Sequence, residues 1–231
     1  MNRATNLAEP ERVRTMFGSI ARRYDLANHV LSCGIDFYWR YRLAQIVAGW
    51  NPREILDVAT GTGDVALALQ KTLPTAEITG VDVLPEMAEL ATRKGVRHAI
   101  VADAMNLPFG NGSFDCLTIA FGLRNLPDWP AAVREFARVL APSSHLLVLE
   151  FSLPTATVLR GMYRLYLHRV VPLLGAAITG HRGAYNYLGD SIEEFPSGEG
   201  MVRLLETNGF RNATAEPLTG GIVSIYTADT L

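Results

Sequence analysis

The chain has 231 residues, of which 48% are hydrophobic, so it is long enough for one α/β domain with a large core and added helices. Its 21 basic and 23 acidic residues nearly balance, so no overall positive field attracts nucleic acid and none is expected as a partner. The only two cysteines, Cys33 and Cys116, lie far apart in sequence without metal-ligand spacing, which favours a reducing compartment and indicates no metal site.

Two helices are predicted before the first strand. Apolar residues recur at helical spacing from Val13 to Tyr24, between arginines, which predicts an amphipathic helix. A second helix is predicted over residues 37–50. We interpret residues 1–50 as a helical lid over a bound cofactor. The alternative, a helical end that only packs on the domain, stays open.

From residue 55 onward the pattern alternates between short apolar strands and amphipathic helices. Strands are predicted at residues 55–59, 78–82, 98–102, 116–120, 146–151 and 222–226, and helices after the first strand to about residue 73, from residue 85, and at 130–140 and 201–208. This alternation predicts an α/β fold with a doubly wound, mostly parallel sheet. Such sheets bind ligands at the carboxyl ends of their strands.

The first strand leads into a glycine turn and a helix. Gly61 and Gly63 allow a sharp turn and a close approach of the backbone to a ligand. The helix that follows presents free N–H groups to this turn. Asp82 ends the second strand, where a carboxylate can accept hydrogen bonds from ribose hydroxyls. These features predict a nucleoside cofactor.

Two cofactors fit this turn. The residues from Gly61 to Ala66 satisfy the short dinucleotide fingerprint, which is weak evidence alone. A pyrophosphate, however, would lie beside the carboxylates of Asp57 and Asp64, and these like charges would repel each other. S-adenosylmethionine carries a sulfonium and an ammonium group instead, and both are favoured by nearby acids. We therefore predict S-adenosylmethionine rather than a nicotinamide dinucleotide.

Polar residues also follow the third and fourth strands. The carboxylate of Asp103 can accept a hydrogen bond from an adenine amino group, and the small Ala104 leaves room for the ring. After the fourth strand, Arg124 and Asn125 are predicted at the reactive end of the cofactor. The alternative is that Arg124 forms only a surface ion pair.

Several segments, taken together, resemble the ubiquinone/menaquinone-biosynthesis C-methyltransferases, a branch of the class I S-adenosylmethionine-dependent methyltransferases. They include Val13-Arg-Thr-Met-Phe17, Trp39-Arg40, Leu56-Asp-Val-Ala-Thr-Gly-Thr-Gly-Asp64, Phe121-Gly-Leu-Arg-Asn125, Leu149-Glu-Phe-Ser152 and Tyr185-Asn-Tyr-Leu188. The glycine turn is common to all class I methyltransferases, whereas the other blocks are more specific. The resemblance implies a Rossmann-like sheet of seven strands with amino-terminal helices and a helical insertion after the fifth strand, in a single domain spanning 1–231.

The resemblance also implies the cofactor-binding residues. They are Asp57, Thr60, Gly61, Thr62, Gly63, Asp82, Val83, Asp103, Ala104 and Ala120. Two departures are visible. Ala120 stands where the family often has serine, so one side-chain hydrogen bond to the cofactor is expected to be missing. The turn at 141–144 reads Ala-Pro-Ser-Ser rather than Lys-Pro-Gly-Gly, which puts its geometry in doubt.

The implied reaction is methylation of a ring carbon on a polyprenyl quinol, such as demethylmenaquinol or the corresponding 6-methoxybenzoquinol. A carbon nucleophile needs an electron-rich ring, so the acceptor is expected to be the reduced quinol. We predict that Arg124 stabilises a developing phenolate, because a cation favours the charged form of a neighbouring group, and that Asn125 orients the ring. Candidates for the proton acceptor are His181, Tyr24, Tyr185 and water near Arg124. The choices between naphthoquinol and benzoquinol and between these bases stay open.

Residues 156–196 are interpreted as an insertion on the substrate side. The apolar run at 158–178 is interrupted by arginines, so it predicts a groove for an isoprenoid tail or a face that lies on anionic lipid rather than a membrane span. The amino terminus lacks the apolar segment of a signal peptide, so the protein is expected in the cytoplasm or at the inner membrane surface. A homodimer, a methyltransferase for another apolar acceptor, and a nicotinamide enzyme or non-catalytic nucleotide-binding module remain as alternatives.

Overall fold

The computed structural model describes residues 10–231, except for the side chains at positions 10, 12–14, 16, 17, 19–22 and 24. Two helices come first, α1 (Pro10–Leu31) and α2 (Ile35–Trp50). Gly34 joins them with a φ of 77°, a left-handed conformation that glycine adopts without strain. Both helices were predicted, but α1 is longer than the apolar pattern indicated. The apolar side chains that predicted it, including Tyr24, and residues 1–9 of the lid lie outside the described residues.

The seven strands form one sheet in the order β3-β2-β1-β4-β5-β7-β6. They are β1 (Glu54–Val58), β2 (Glu77–Asp82), β3 (His98–Val101), β4 (Phe114–Ala120), β5 (Leu140–Phe151), β6 (Phe210–Leu218) and β7 (Val223–Thr230). The first five strands are parallel, and β7 pairs antiparallel with both β5 and β6. The strand order reverses between β1 and β4, which is where a doubly wound sheet opens a crevice for ligands. The predicted fold class is confirmed.

Helices cover both faces of this sheet. They are α3 (Asp64–Thr72), α4 (Pro85–Lys94), α5 (Trp129–Val139) and α9 (Glu199–Glu206), together with α2. Four of the five residues of β1 are buried, as expected for a central parallel strand that is covered on both sides. Phe136 and Phe210 fill the core on one face, and Leu43 and Leu69 fill the core on the other.

The insertion after β5 forms a separate helical layer. It contains α6 (Thr157–Leu165), a π-helical turn (Tyr166–Val170), α7 (Val171–Thr179) and α8 (Arg182–Glu194). The Tyr166 hydroxyl donates a hydrogen bond to the Leu31 carbonyl at 2.5 Å, which fastens this layer to α1. No helix in the part of the chain that the structure describes has both the length and the hydrophobicity needed to cross a bilayer.

Two features of the sheet differ from the sequence-based elements. The sequence analysis did not predict strand β6. The strand lies at the exposed edge of the sheet and contains many polar side chains and Pro217, so it lacks the apolar pattern by which strands are recognised. Strand β5 begins at Leu140 rather than at residue 146, because the segment 141–144 continues the strand through an irregularity in its pairing with β4. Ser143 has a φ of 60° within that irregularity.

Candidate active site

The glycine turn follows β1 at the crevice of the sheet. Ala59 and Gly61 have φ values of 51° and 57°, so the chain turns through left-handed conformations. The Gly61 N–H donates to Asp82 Oδ2 at 2.9 Å, and a Cβ on Gly61 would point into open space. A Cβ on Gly63 would instead lie 2.4 Å from Val96 Cγ2. Gly61 therefore faces a ligand site, whereas Gly63 allows close packing of the turn against the segment that follows α4.

Asp57 is a buried carboxylate at the end of β1. Its two oxygens accept hydrogen bonds from the hydroxyls of Thr60 at 2.6 Å and Thr118 at 2.7 Å. Burial raises the pKa of Asp57 to about 6, although both hydroxyl hydrogen bonds oppose that rise. This carboxylate therefore favours a cation beside it, because a positive charge would offset the free energy of burying its own negative charge.

Asp82 is the last residue of β2, and Asp103 lies just after β3. Asp82 accepts hydrogen bonds from the backbone N–H groups of Gly61 and Leu84, the latter at 3.0 Å, and burial raises its pKa. Asp103 accepts one from Met105 N at 2.9 Å. Each oxygen of the Asp82 carboxylate has two lone pairs, so its contacts with these backbone N–H groups leave acceptor capacity for ligand hydroxyl groups.

These strand ends form one cleft, here called the cofactor cleft. The predicted residues that line it are Asp57, Thr60, Gly61, Thr62, Asp82, Val83, Asp103, Ala104 and Ala120, and Asn125 lines it as well. Gly63 does not line it. The cleft thus brings together nearly all of the predicted cofactor-binding residues from four strands.

A charged network connects helix α1 to the rim of this cleft. The Lys94 ammonium group, at the end of α4, donates to Asp25 Oδ2 at 2.6 Å, Asp64 Oδ1 at 2.7 Å and Thr62 Oγ1 at 2.9 Å. Thr62 also donates to Asp25 at 2.7 Å. Desolvation alone would lower the pKa of Lys94, but its hydrogen bonds to the two carboxylates raise it. These ionic contacts therefore join helix α1 to the glycine turn.

The turn after β4 holds the Phe121 peptide in a rare conformation. Phe121 has a φ of 56°, which is strained for a residue with a side chain. Its carbonyl accepts hydrogen bonds from Arg124 Nη1 at 2.5 Å and from Asn125 Nδ2 at 3.2 Å. The side chains of Arg124 and Asn125 therefore stabilise the backbone geometry of this turn. The oxygen of the Asn125 amide is buried without a partner among the described residues.

Arg124 forms a buried ion pair with Glu150 of β5. Arg124 Nη1 lies 2.7 Å from Glu150 Oε1, and the two side chains are 3% and 0% exposed. Burial raises the pKa of Glu150, and the charge of Arg124 opposes this effect. The guanidinium carbon lies 5.3 Å from the centre of the Phe151 ring. Arg124 Nε is buried and has no hydrogen-bond partner among the described residues, so its N–H group has an unused hydrogen bond to donate.

A second cavity of about 340 Å³ lies between the helical layer and the sheet. We call it the acceptor cavity. Its walls are mainly aliphatic and aromatic, and they come from the two amino-terminal helices, the helical layer and the ends of β4 and β5. The apolar lining residues include Leu31, Trp39, Phe151, Leu159, Met162, Tyr163, Tyr166, Leu167, Val171, Tyr187, Leu188 and Ile192. Its volume is within the range of small-molecule sites. Arg124 and Tyr185 line this cavity.

The ring of Tyr185 is held flat against α7. An added Cβ on Gly175 would lie 2.3 Å from that ring, so only glycine permits this packing. His181 lies elsewhere. Its side chain is exposed, its Nδ1 lies 3.1 Å from the Thr179 carbonyl oxygen, and it lines neither cavity. The structure therefore brings Arg124 and Tyr185 together, places Asn125 in the adjoining cleft, and leaves His181 apart from both.

The two cavities meet at three residues. Asn28, Arg40 and Phe121 line both of them. Arg40 pairs with Asp36, which lines the acceptor cavity, and its Nη2 lies 3.5 Å from Asp64, which lines the cofactor cleft. A group bound in one cavity can therefore reach a group bound in the other beside these side chains.

Several site residues were not predicted from the sequence. The sequence analysis assigned no role to Asn28, Arg40 or Glu150. Arg40 and Glu150 nevertheless lie in the segments Trp39-Arg40 and Leu149-Glu-Phe-Ser152, which resemble the family. Asp36 and Lys94 carried no signal at all. Their positions depend on contacts between helices and strands that are distant in sequence, which neither spacing nor hydropathy reports.

The sequence of the chain matches the family model of the ubiE/COQ5 methyltransferase family over residues 5–229. It is 44% identical over 219 residues to a demethylmenaquinone methyltransferase of Thermus thermophilus, covering 93% of this chain and 99% of that protein. It is also 44% identical over 225 residues to a ubiquinone/menaquinone biosynthesis C-methyltransferase of Citrifermentans bemidjiense, covering 94% and 95%.

Solved structures agree in fold at much lower identity. A Thermotoga maritima SAM-dependent methyltransferase, described as a possible histamine N-methyltransferase, superposes with a TM-score of 0.66 at 18% identity, covering 94% of this chain and 99% of that one. Human N-acetylserotonin methyltransferase in complex with SAM superposes with a TM-score of 0.64 at 17% identity, covering 93% and 57%. These likenesses concern the fold alone.

Proposed function

The chain belongs to the ubiE/COQ5 methyltransferase family, and we propose that this S-adenosylmethionine-dependent C-methyltransferase acts on a ring carbon of a reduced polyprenyl quinol. The observation that carries this proposal is the acceptor cavity, which is apolar, large enough for a quinol ring and adjoins the cofactor cleft. The names of the relatives from Thermus thermophilus and Citrifermentans bemidjiense support the same class of acceptor.

The chemistry of the cofactor cleft fits S-adenosylmethionine. The open space above Gly61 leaves room for a ligand against the backbone, and the buried carboxylate of Asp57 favours a cationic group. Asp82 has acceptor capacity for ribose hydroxyls, and Asp103 beside the small Ala104 fits an amino-substituted ring. When bound, S-adenosylmethionine supplies an electrophilic methyl group.

The acceptor must be the reduced quinol, because its ring carbon acts as the nucleophile. Its hydroxyl groups place electron density on the ring, which the carbonyl groups of a quinone withdraw. Arg124 Nε is the buried donor that we propose for one acceptor oxygen. Glu150 already neutralises much of the Arg124 charge, so this contact orients the ring through a hydrogen bond. Asn125 Oδ1, on the cofactor side, and the ring of Tyr185, on the acceptor side, complete the positioning. We propose no catalytic role for His181.

The acceptor cavity is bordered by an apolar face on α6, here called the apolar rim. It consists of Val158, Met162 and Leu165, whose exposed fractions are 78%, 65% and 61%. Their i, i+4, i+7 spacing places them on one side of the helix. Met162 also lines the cavity, and the exposed Arg164 lies on the same helix. We propose that the rim contacts an anionic membrane surface, from which the isoprenoid tail enters the cavity.

The proposed reaction is tested by methyl transfer from labelled S-adenosylmethionine to short-tailed demethylmenaquinol and to the matching benzoquinol, each with and without reductant. We expect product only when the acceptor is reduced. Equal yields without reductant would contradict the mechanism. No product from either quinol, in a protein that S-adenosylhomocysteine stabilises against heat, would contradict the acceptor class.

The role of Arg124 is tested with Arg124→Lys in the same assay. Lysine keeps a cation beside Glu150 but lacks Nε, so we expect kcat to fall about tenfold while cofactor affinity is retained. Arg134→Lys is the matched control, because Arg134 lies on α5, bonds only Asn208 among the contacts described, and lines neither cavity. Unchanged kcat in Arg124→Lys would remove this contact from the mechanism.

A further inference from the structure

Methylation of an aromatic carbon leaves a proton to be removed. The ring forms a bond to the methyl carbon, the bond from that carbon to sulfur breaks with its electron pair going to sulfur, and the ring then loses the hydrogen on the methylated carbon as a proton. An apolar cavity provides little water to take it. Among the residues described as lining the acceptor cavity, Asp36 is the one carboxylate.

Asp36 lies in the first turn of α2 and its side chain is only 3% exposed. Its Oδ1 accepts a hydrogen bond from the Ser32 hydroxyl at 2.7 Å. Its Oδ2 contacts both Arg40 Nη1 and His29 Nδ1, the latter at 2.6 Å. Arg40 also lines the junction of the two cavities. The carboxylate is therefore fixed next to the region where methyl transfer must take place.

His29 connects this buried carboxylate to the surface. It lies near the end of α1, seven positions before Asp36, and the turn through Gly34 brings the two side chains together. The ring of His29 stacks on Phe37, with centroids 4.4 Å apart, and its side chain is 28% exposed. One nitrogen of the imidazole thus contacts Asp36, while part of the side chain reaches solvent.

We propose that Asp36 accepts the proton released by the acceptor ring, while His29 and Arg40 hold its carboxylate in position. This inference rests on the proposed function, since it names the base of that reaction. At 2.6 Å from an ionised carboxylate, His29 Nδ1 carries its own hydrogen and donates it to Asp36 Oδ2. The ring proton is therefore transferred to Asp36 Oδ1, which accepts the Ser32 hydrogen bond, and it leaves to water when the product departs. The base therefore belongs to the helical pair α1–α2 and not to the turn that contains Arg124.

The charges around Asp36 explain why it can take up a proton and release it again. Burial would raise the pKa of Asp36, but its hydrogen bonds to Ser32 and Arg40 outweigh this and lower it. The carboxylate is therefore ionised and ready to accept at neutral pH, yet it holds a proton weakly. The other charged or titratable neighbours are Asp64, which faces Arg40, and Tyr166 and Cys33 beside the α1–α2 turn.

The test compares Asp36→Asn, His29→Gln and wild type in the assay with saturating demethylmenaquinol. The matched control is His145→Gln, because His145 also stacks on an aromatic ring, Trp50 at 4.5 Å, and contacts a carboxylate through Nδ1, Asp229 at 2.8 Å, but lines neither cavity. We expect kcat to fall about 100-fold or more in Asp36→Asn and about tenfold in His29→Gln, and to stay within about twofold in the control.

Two further readouts separate proton transfer from a structural role. With acceptor deuterated at the reacting carbon, Asp36→Asn is expected to show a larger kinetic isotope effect than wild type, because breaking the C–H bond becomes slower than methyl transfer. The dissociation constant of S-adenosylhomocysteine is expected to stay the same in both variants.

An isotope effect in Asp36→Asn equal to that of wild type, or a kcat within about threefold of wild type, would overturn the proposal. A loss confined to cofactor affinity or to the KM for the acceptor would overturn it as well. Wild-type turnover reports on the proposed acceptor, whereas the ratios of variant to wild type report on the base, so the two failures are distinguishable.

Discussion

The cofactor cleft and the acceptor cavity lie side by side but are built by different parts of the chain. The cleft consists of strand ends and tight turns, and its polar groups are fixed by short hydrogen bonds such as those of Asp57 and Asp82. The acceptor cavity consists of helices from the amino terminus and the insertion, and its walls are mostly apolar. In the proposed function, the sheet thus supplies the methyl donor site, while the added helices line the site for the acceptor.

The largest expected effect concerns the buried ion pair between Arg124 and Glu150. Replacing Glu150 with leucine leaves the Arg124 cation buried and unpaired, so we expect the free energy of unfolding to fall by about 3–5 kcal/mol in urea denaturation. The double variant Arg124→Met/Glu150→Leu is expected to recover most of this loss, because no buried charge remains.

The exposed pair Glu89–Arg93 provides the control for that experiment. Its side chains are 62% and 70% exposed, so Glu89→Leu is expected to cost at most about 1 kcal/mol. If Glu150→Leu cost no more than this control, or if the double variant were no more stable than the single one, the buried pair would not have the structural role described here.

A pH experiment addresses the cofactor cleft alone. The pKa of Asp57 rises from 3.8 to about 6 on folding, so the folded state binds this proton more tightly than the unfolded state does. The resulting stabilisation is fully present below about pH 4 and is lost as pH rises through about 6, an effect of about 3 kcal/mol.

We therefore expect the ligand-free protein to gain stability from this group between pH 7 and pH 5, measured as the free energy of unfolding. Asp57→Asn is expected to reduce this dependence and to weaken S-adenosylmethionine binding at pH 7. A smaller dependence of the unfolding free energy on pH would remain from Asp82 and Glu150, whose pKa values are also raised by burial. The same slope in Asp57→Asn and wild type would contradict this account of Asp57.

The acceptor cavity is tested by Gly175→Ala. The added methyl group must displace the Tyr185 ring, so we expect a destabilisation of about 1–3 kcal/mol and a several-fold higher KM for the quinol. The affinity for S-adenosylhomocysteine should not change. Gly161→Ala on α6 is the control, because nothing lies near its added methyl group. A change in cofactor affinity instead of acceptor KM would show that the two cavities are not separate in function.

The smallest effect is expected at the apolar rim. Val158→Ser combined with Leu165→Ser removes exposed apolar surface without changing the cavity lining, so binding to phosphatidylglycerol vesicles should weaken about tenfold. Val101→Ser on β3, a residue that is 53% exposed, should have no effect. Equal vesicle binding by all three proteins would exclude the rim as the lipid contact.

The cofactor side could be predicted from the sequence because its signals are local. The turn from Asp57 to Gly63 is contiguous, and Asp82 and Asp103 each end a recognisable strand, so parallel strand order alone brings them together. The predicted cofactor and the family are confirmed. Arg124 was predicted at the reactive end of the cofactor, and it lines the acceptor cavity, but its partner Glu150 is a buried acid inside an apolar strand, which hydropathy alone does not explain.

The acceptor side could not be predicted in the same way. Its walls meet through contacts such as Tyr166 with Leu31 and Trp39 with Thr219, which join residues 135 and 180 positions apart. Asp36 and His29 are adjacent only because a left-handed Gly34 turns α1 onto α2. Such a packing arrangement follows from tertiary structure and leaves no pattern in the sequence. His181, by contrast, was selected from the sequence as a histidine, although it lines neither cavity.

The most direct test of two adjoining cavities is a crystal structure with S-adenosylhomocysteine and short-tailed demethylmenaquinol bound together. We expect the nucleoside beside Asp82 and Asp103, and the quinol ring between Phe121 and Arg40 with its unmethylated carbon directed at the sulfur. A quinol ring bound outside the helical cavity, or separated from the sulfur by the turn at Phe121, would contradict the account.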